Sequence, residues 1–109
     1  MASKKPADPK RAPLPRVSDH TREFLKDWQR LSHSGRFDMR RLKEAMLLII
    51  ANDGPLPPEW LDHPLVGDWS GHLECHVGGD FLLIYKLEDS GRTDMVVFTR
   101  AGTHSDLFR

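Results

Sequence analysis

Cysteine is almost absent from this sequence of 109 residues, which narrows the classes of protein it can belong to. The single cysteine, Cys75, cannot form an intrachain disulfide, so we expect a protein of the reducing cytoplasm. Long apolar runs are missing too, and the longest, residues 45–51, is too short to cross a membrane. The first residues carry charge without an apolar stretch, and we therefore expect no secretory signal.

Net charge is also absent, because 16 Lys and Arg balance 16 Asp and Glu. The charges are unevenly placed: residues 51–109 carry four Lys and Arg against ten acids, and residues 1–50 are correspondingly basic. This asymmetry indicates a first half that faces a polyanion or an acidic partner. A solvated surface of mixed charge explains the same counts, so the charge alone does not decide between them.

The first half has the apolar spacing of two helices. The first helix is predicted over residues 18–33, with Ser18 as its N-cap. The second begins after Asp38, which is a suitable N-cap, and runs to about Ala51. Gly54 and the prolines after it predict its end.

The second half changes to the period of strands. Residues 72–77 alternate polar and apolar side chains, residues 81–85 are almost wholly apolar, and residues 95–99 form a third candidate strand. Turn signals rich in glycine separate them, which predicts antiparallel hairpins. A short strand at residues 14–17 could join the sheet edge.

These elements predict an α+β fold in which two N-terminal helices pack on an antiparallel sheet of three to four strands. One domain is expected over residues 15–109, because the chain is too short for two. Residues 1–14 have almost nothing apolar to bury and are predicted to be a disordered basic arm. A domain this small has little room for an internal cavity, so any active site should be a surface cleft.

Histidine is unusually common, with six in the chain, four of them in the second half. His72, Glu74 and His76 alternate along one predicted strand and should share its outward face. Two chemistries suit such a cluster. One is metal binding, although the spacing matches no helical zinc motif. The other is metal-free acid–base catalysis near neutral pH. Any one of these histidines taken alone is more simply explained as a solvated residue on a sheet face.

Three segments carry a resemblance to a known family. Residues 62–71 read DHPLVGDWSG, residues 76–87 read HVGGDFLLIYKL, and residues 98–108 read FTRAGTHSDLF. In order and spacing they resemble the segments DHPL-x-G-x-W-x-G, HV-x-x-D-W-hydrophobic-IYKL and R-x-GTH-x-x-LF of YafQ-type toxins in the RelE/ParE superfamily. The resemblance covers roughly residues 16–109.

The resemblance implies a compact RelE-like microbial RNase fold and cleavage of mRNA in the ribosomal A site, which inhibits translation. It also implies an antitoxin partner and a toxin–antitoxin hetero-oligomer. From the residue types we expect no cofactor and no metal, and from the short apolar runs no membrane association. The family's functional positions fall on six residues of this chain: His63, His76, Asp80, Arg100, His104 and Phe108. Phe81 stands where the family has tryptophan; it lacks the indole donor but can still stack on a base.

The residue types are consistent with that chemistry. Cutting RNA without metal needs a base for the ribose 2′-hydroxyl, an acid for the departing 5′-oxygen and a cation for the phosphorane. His and Asp supply proton transfer, and Arg100 supplies a charged fork matched to phosphate, unless it forms only a surface salt bridge. Phe81 or Phe108 could stack on an unpaired base, although a C-terminal phenylalanine could equally plug the core.

The basic residues Arg40, Arg41 and Lys43 on the second helix are predicted to contact ribosomal RNA or an acidic partner. They could instead serve only to keep the helix soluble. Two other functions stay open: a non-enzymatic toxin of the same fold that acts by binding its target, and a metal-dependent hydrolase that uses the histidine cluster. A pure binder has no need of the His/Asp/Arg set.

Overall fold

The computed structural model describes residues 14–89 and 94–108. Most of the predicted arm and part of the turn after Glu88 therefore lie outside the described residues. Eight helices and strands follow one another in chain order: β1 (Val17–His20), α1 (Arg22–Ser34), α2 (Met39–Ala51), β2 (His63–Pro64), β3 (Leu73–Gly78), β4 (Phe81–Asp89), β5 (Asp94–Gly102) and α3 (His104–Leu107). Two short 3₁₀ turns, Pro58–Trp60 and Gly67–Trp69, lie on either side of β2. The predicted α+β class is confirmed.

The sheet has the order β1-β5-β4-β3-β2 and is mixed rather than wholly antiparallel. β3, β4 and β5 form the expected antiparallel hairpins. β1 pairs in parallel with β5, with Val17 opposite Met95 and His20 opposite Phe98. A parallel neighbour needs a long crossover, which α1, α2 and the following strands provide. This strand and the two-residue β2 bring the described sheet to five strands.

The first helix begins later than predicted, because Ser18 belongs to β1. Thr21 is the N-cap instead, and its hydroxyl accepts a hydrogen bond from the Phe24 amide at 2.9 Å. α2 begins as predicted: Asp38 caps it by accepting from the Arg41 amide at 3.0 Å. It ends at Asn52, which adopts the left-handed conformation with φ of 58°, two residues before the predicted glycine.

Both long helices cover one face of the sheet and enclose the main core. Leu31 of α1 and Leu42 of α2 are fully buried there against Cys75 and Val77 of β3. The opposite face carries a smaller apolar cluster of Leu82, Ile84 and Leu107, with Leu65 and Trp69 packed against it. Since side chains alternate along a strand, Glu74 and His76, which flank Cys75, point to this second face. No helix in the described part of the chain is long and apolar enough to cross a membrane.

Phe81 belongs to the main core, contrary to the prediction that it stacks on RNA. Its side chain is 5% exposed, and its ring lies 4.9 Å from that of Phe37. As the first residue of β4 it packs in the core cluster with the helices, and little of its ring surface is left for stacking on a base.

Candidate active site

The sheet register places four residues in one row across the face opposite α1 and α2. His63 of β2 is opposite Glu74 of β3, Glu74 is opposite Ile84 of β4, and Ile84 is opposite Arg100 of β5. Neighbouring strands lie about 4.8 Å apart, so Glu74 and Arg100 are roughly 10 Å apart along this row. Ile84 is fully buried between them and forms the floor of the site.

One buried carboxylate joins two histidines at this face. Glu74 Oε1 lies 3.3 Å from His63 Nε2 and 3.5 Å from His76 Nε2, and Glu74 is only 4% exposed. The carbonyl of Leu61 can only accept, so the 2.7 Å contact with His63 Nδ1 requires a proton on that nitrogen. The reactive Nε2 of His63 is thereby directed at Glu74 and the open face.

Asp80 and His104 form a second charged pair. Asp80 Oδ1, in the turn between β3 and β4, accepts from the His104 backbone amide at 3.0 Å and contacts His104 Nδ1 at 2.5 Å. The backbone hydrogen bond and then the side-chain hydrogen bond of His104 lower the pKa of Asp80, which keeps this carboxyl ionised at neutral pH. A carboxylate on Nδ1 leaves Nε2 of a neutral His104 free to accept a proton.

The first turn of α3 holds His104 in place. Two reciprocal hydrogen bonds form a capping box. The Thr103 hydroxyl accepts from the Asp106 amide at 3.1 Å, and the Asp106 carboxylate accepts from the Thr103 amide at 3.1 Å. The backbone hydrogen bond to Thr103, the strongest influence, lowers the pKa of Asp106. His104 is the first residue of α3 after the N-cap Thr103, so the capping box fixes its backbone.

The three histidines form a series of neighbouring rings that ends at an aromatic side chain. Ring centroids are 5.9 Å apart for His63 and His76, 6.3 Å for His76 and His104, and 5.8 Å for His104 and Phe108. Phe108 is 39% exposed and not the core plug that its terminal position allowed. The fold thus brings together His63, His76, Asp80 and His104, residues that the sequence distributes over some forty positions.

Arg100 lies opposite Ile84 in the same row of the sheet, but its guanidinium is bound by Asp27 of α1. Nε donates to Asp27 Oδ2 at 2.7 Å and Nη2 donates to Asp27 Oδ1 at 3.2 Å, a two-point pair. The hydrogen bond to Asp27 is the main cause that raises the pKa of Arg100, so its charge is permanent. The predicted binding of phosphate by Arg100 remains a proposal.

The three basic residues of α2 lie on the helical side of the sheet. Arg40 and Lys43 are exposed and line one surface groove with Leu47 and Leu48. Arg41 is engaged instead: its guanidinium lies 3.9 Å from the Trp60 ring centroid and makes further polar contacts with Val77 O, Glu44 and Glu59. Arg41 therefore packs the fold, which makes it a weaker RNA contact than its two neighbours.

Two residues of the site were missed as functional. The sequence pattern indicates Glu74 only as a metal ligand beside His72, yet the structure groups it with His63 and leaves His72 outside β3, with its ring centroid 5.3 Å from that of Trp69. Asp27 was not singled out at all. A usable signal was present, since Asp27 follows Phe24 by three positions and precedes Leu31 by four, which places an acid on the apolar stripe of α1.

His63, Glu74 and His76 are also a plausible metal site. One ligand atom from each lies within 4.8 Å of the others. Two imidazoles and a carboxylate are a known ligand set for zinc, and ligands bound at about 2.1 Å in a tetrahedron are about 3.4 Å apart. The contacts of Glu74 with His63 and His76 match that separation.

Comparison with known proteins places this geometry in a family. The family model described as "Bacterial toxin of type II toxin-antitoxin system, YafQ" matches residues 16–109. The chain is 40% identical to the mRNA interferase toxin YafQ of Escherichia coli K12 over 95 residues, 87% of this chain and 98% of the relative.

Solved structures of related toxins match the fold of this chain as well. The crystal structure of the E. coli DinJ–YafQ complex matches at a TM-score of 0.74 and 40% identity, over 86% of this chain and 99% of that one. The metal-bound toxin from Helicobacter pylori matches at a TM-score of 0.73 and 32% identity, over 85% and 99%. The resemblance of the three sequence segments is confirmed, and this chain belongs to the YafQ family of bacterial toxins of type II toxin–antitoxin systems.

Proposed function

We propose that this chain is an endoribonuclease that cuts mRNA on the ribosome and thereby inhibits translation in the cytoplasm. The observation that carries the proposal is the series of three neighbouring imidazoles, each beside an oxygen of the protein: Leu61 O for His63, Glu74 for His76 and Asp80 for His104. Among the described residues, these imidazoles lie against one another and against carboxylate and carbonyl oxygens, which suits a reaction whose nucleophile belongs to the substrate. The ribose 2′-hydroxyl of RNA is such a nucleophile.

In the proposed reaction the 2′-oxygen attacks the adjacent phosphorus and the bond from phosphorus to the 5′-oxygen breaks. One imidazole accepts the 2′-hydroxyl proton, and another donates a proton to the departing oxygen. The products are a 2′,3′-cyclic phosphate, which hydrolyses to a 3′-phosphate, and a 5′-hydroxyl. Arg100 supplies the positive charge that stabilises the phosphorane. The ionised Asp80 cannot be the acid, so its part is to orient His104.

In the proposed complex, Phe108 stacks on an unpaired base next to the histidines. It walls a cavity of about 690 Å³ that is also lined by Trp69, His72 and Thr99. Trp69 meets Phe108 edge-on, with ring centroids 6.3 Å apart. Stacking on an aromatic side chain is the usual way in which proteins hold single-stranded RNA.

An antitoxin is the expected protein partner of this chain, because the related toxin from E. coli has been solved in a complex named DinJ–YafQ. The exposed Arg40 and Lys43 beside Leu47 and Leu48 suit an amphipathic, acidic segment that folds on binding. The same cations suit phosphate contacts on the ribosome. We expect the two uses to compete.

A second candidate function is metal-dependent hydrolysis, favoured by the ligand geometry of His63, Glu74 and His76. A bound zinc or copper ion would supply Lewis-acid chemistry at that point. The two candidates use different nucleophiles, since a metal-dependent hydrolase activates water and a metal-free nuclease of this kind requires the 2′-hydroxyl.

The deciding experiment compares two mRNAs on programmed ribosomes, one unmodified and one with a 2′-O-methyl group at the cleaved nucleotide. The toxin is first stripped of transition metals by a chelator and desalted, and magnesium is kept for the ribosomes. We expect the stripped toxin to cut only the unmodified mRNA and to leave a 5′-hydroxyl. Cleavage of the methylated mRNA, or activity that returns only when zinc is added back, would favour the metal-dependent hydrolase. No cleavage of either mRNA would refute the proposal.

A further inference from the structure

Helix α1 replaces a missing strand at the outer edge of β5. The last pairing of β1 is His20 with Phe98, and beyond it the β5 edge faces α1. There the Thr21 hydroxyl donates to the Thr99 carbonyl at 2.7 Å, and the Ala101 amide donates to Asp27 Oδ2 at 3.0 Å. A side chain of α1 thus supplies the acceptor that a neighbouring strand would have supplied.

Asp27 makes more bonds than this edge requires. It is 4% exposed and, besides the Ala101 amide, accepts from Nε and Nη2 of Arg100 and from Nη2 of Arg30. Closing the edge needs one acceptor, whereas the two bonds to Arg100 fix the plane of the guanidinium. A buried carboxylate needs such cations close by, because an unpaired buried charge is strongly unfavourable.

A second contact runs from the same helix to the element that carries His104. Arg30 Nη1 donates to Asp106 Oδ2 at 3.3 Å, and Asp106 belongs to the capping box of α3. Gly102 permits this approach: a Cβ at this position, where φ is +155°, would lie 2.9 Å from Asp106 Oδ2. Asp27 and Arg30 lie one helical turn apart on α1. Asp27 therefore holds the end of β5 that carries Arg100, and Arg30 holds α3, which begins with His104.

We propose that Asp27 is a positioning residue for RNA cleavage, which acts by holding the guanidinium of Arg100 in the orientation that meets the phosphorane. The inference rests on the proposed function. An arginine side chain has several freely rotating bonds, and a cation that is fixed before the substrate arrives stabilises a transition state better than one that must be ordered during the reaction. The pair uses Nε and Nη2, so Nη1 is the nitrogen that it leaves for the phosphate.

The test separates this role from simple support of the fold. Asp27→Asn keeps a carbonyl oxygen that can accept from the Ala101 amide. The negative charge is lost, and one of the two oxygens that accept from Arg100 becomes an NH₂ group, which cannot accept. The matched control is Glu23→Gln, the same chemical change on an exposed residue of the same helix that influences Arg100 only through space. Single-turnover cleavage of ribosome-bound mRNA is measured for wild type, both variants, Arg100→Ala, and Asp27→Asn combined with Arg100→Ala.

We expect Asp27→Asn to slow cleavage roughly 10- to 100-fold, the scale of a misplaced catalytic group. In the Arg100→Ala background the same change should matter less than about twofold, because two residues that act as one unit are not additive. Glu23→Gln should cleave like wild type. Equal slowing in both backgrounds, or wild-type cleavage by Asp27→Asn, would overturn the inference.

A second measurement does not depend on activity. The Nε–H of Arg100 is followed by nitrogen-15 NMR, and its exchange with water should be at least about tenfold faster in Asp27→Asn than in wild type or Glu23→Gln. Unchanged exchange would overturn the inference even if the toxin cleaves RNA. Failure of the proposed function itself would look different, because wild type would then cut no RNA while Arg100 exchange still responded to Asp27→Asn.

Discussion

Replacing His104 with alanine tests the core of the proposed chemistry with little damage to the fold. The His104 side chain is 57% exposed, and its backbone bond to Asp80 survives the change. The capping box of Thr103 and Asp106 does not involve the imidazole either. We therefore expect a stability change within about 0.5 kcal/mol, as for other surface substitutions.

The expected loss of activity is much larger. Removing one positioned proton-transfer group costs roughly 10²–10⁴-fold in rate. The Asp80 carboxylate would then lose its Nδ1 partner, and the remaining imidazoles of His63 and His76 both lie against Glu74. They cannot take over without leaving Glu74. On induction in cells, the variant should no longer arrest growth.

The assay is cleavage of a defined mRNA on purified ribosomes, with thermal unfolding and circular dichroism to show that the variant is folded. His33→Ala is the matched control, because His33 is exposed at the end of α1 and bonds only to the Gln29 carbonyl among the described contacts. The control should cleave as wild type does. If folded His104→Ala also cleaves at the wild-type rate, the site is assigned wrongly.

Three further predictions concern the surface and the core. Arg40→Glu combined with Lys43→Glu should weaken co-sedimentation with ribosomes far more at low salt than at high salt, because phosphate contacts are screened; equal co-sedimentation at low salt would show that these charges serve only solubility. Asp106→Asn should lower the melting temperature at pH 7. The capping bonds lower the folded pKa of Asp106, so their contribution is present above the unfolded value of about 4 and is lost as pH falls through the folded one; a melting difference that persists undiminished at pH 2 would contradict this. Burial raises the pKa of the Cys75 thiol to about 12, so iodoacetamide should label it at pH 8 only after unfolding, and rapid labelling of the native protein would contradict its burial.

Local features of the sequence determined much of this protein. The spacing of apolar residues and the cap at Asp38 predicted α2, because a helix is built from hydrogen bonds within one segment. Alternation and turn residues predicted the β3–β4 hairpin for the same reason. The three family segments predicted His63, His76, Asp80 and His104 as site residues, since their types and spacing are carried by the chain itself.

Only the tertiary structure decided how these parts meet. A two-residue strand set His63 opposite Glu74, a pairing too short for any periodicity to reveal. The parallel pairing of β1 turned the predicted N-cap Ser18 into a strand residue. Phe81 entered the core because β4 presents its first side chain to the helices. The bond between Arg100 and Asp27 joins residues 73 positions apart. Such contacts depend on which surfaces are buried against each other, a property of the whole fold that no local pattern encodes.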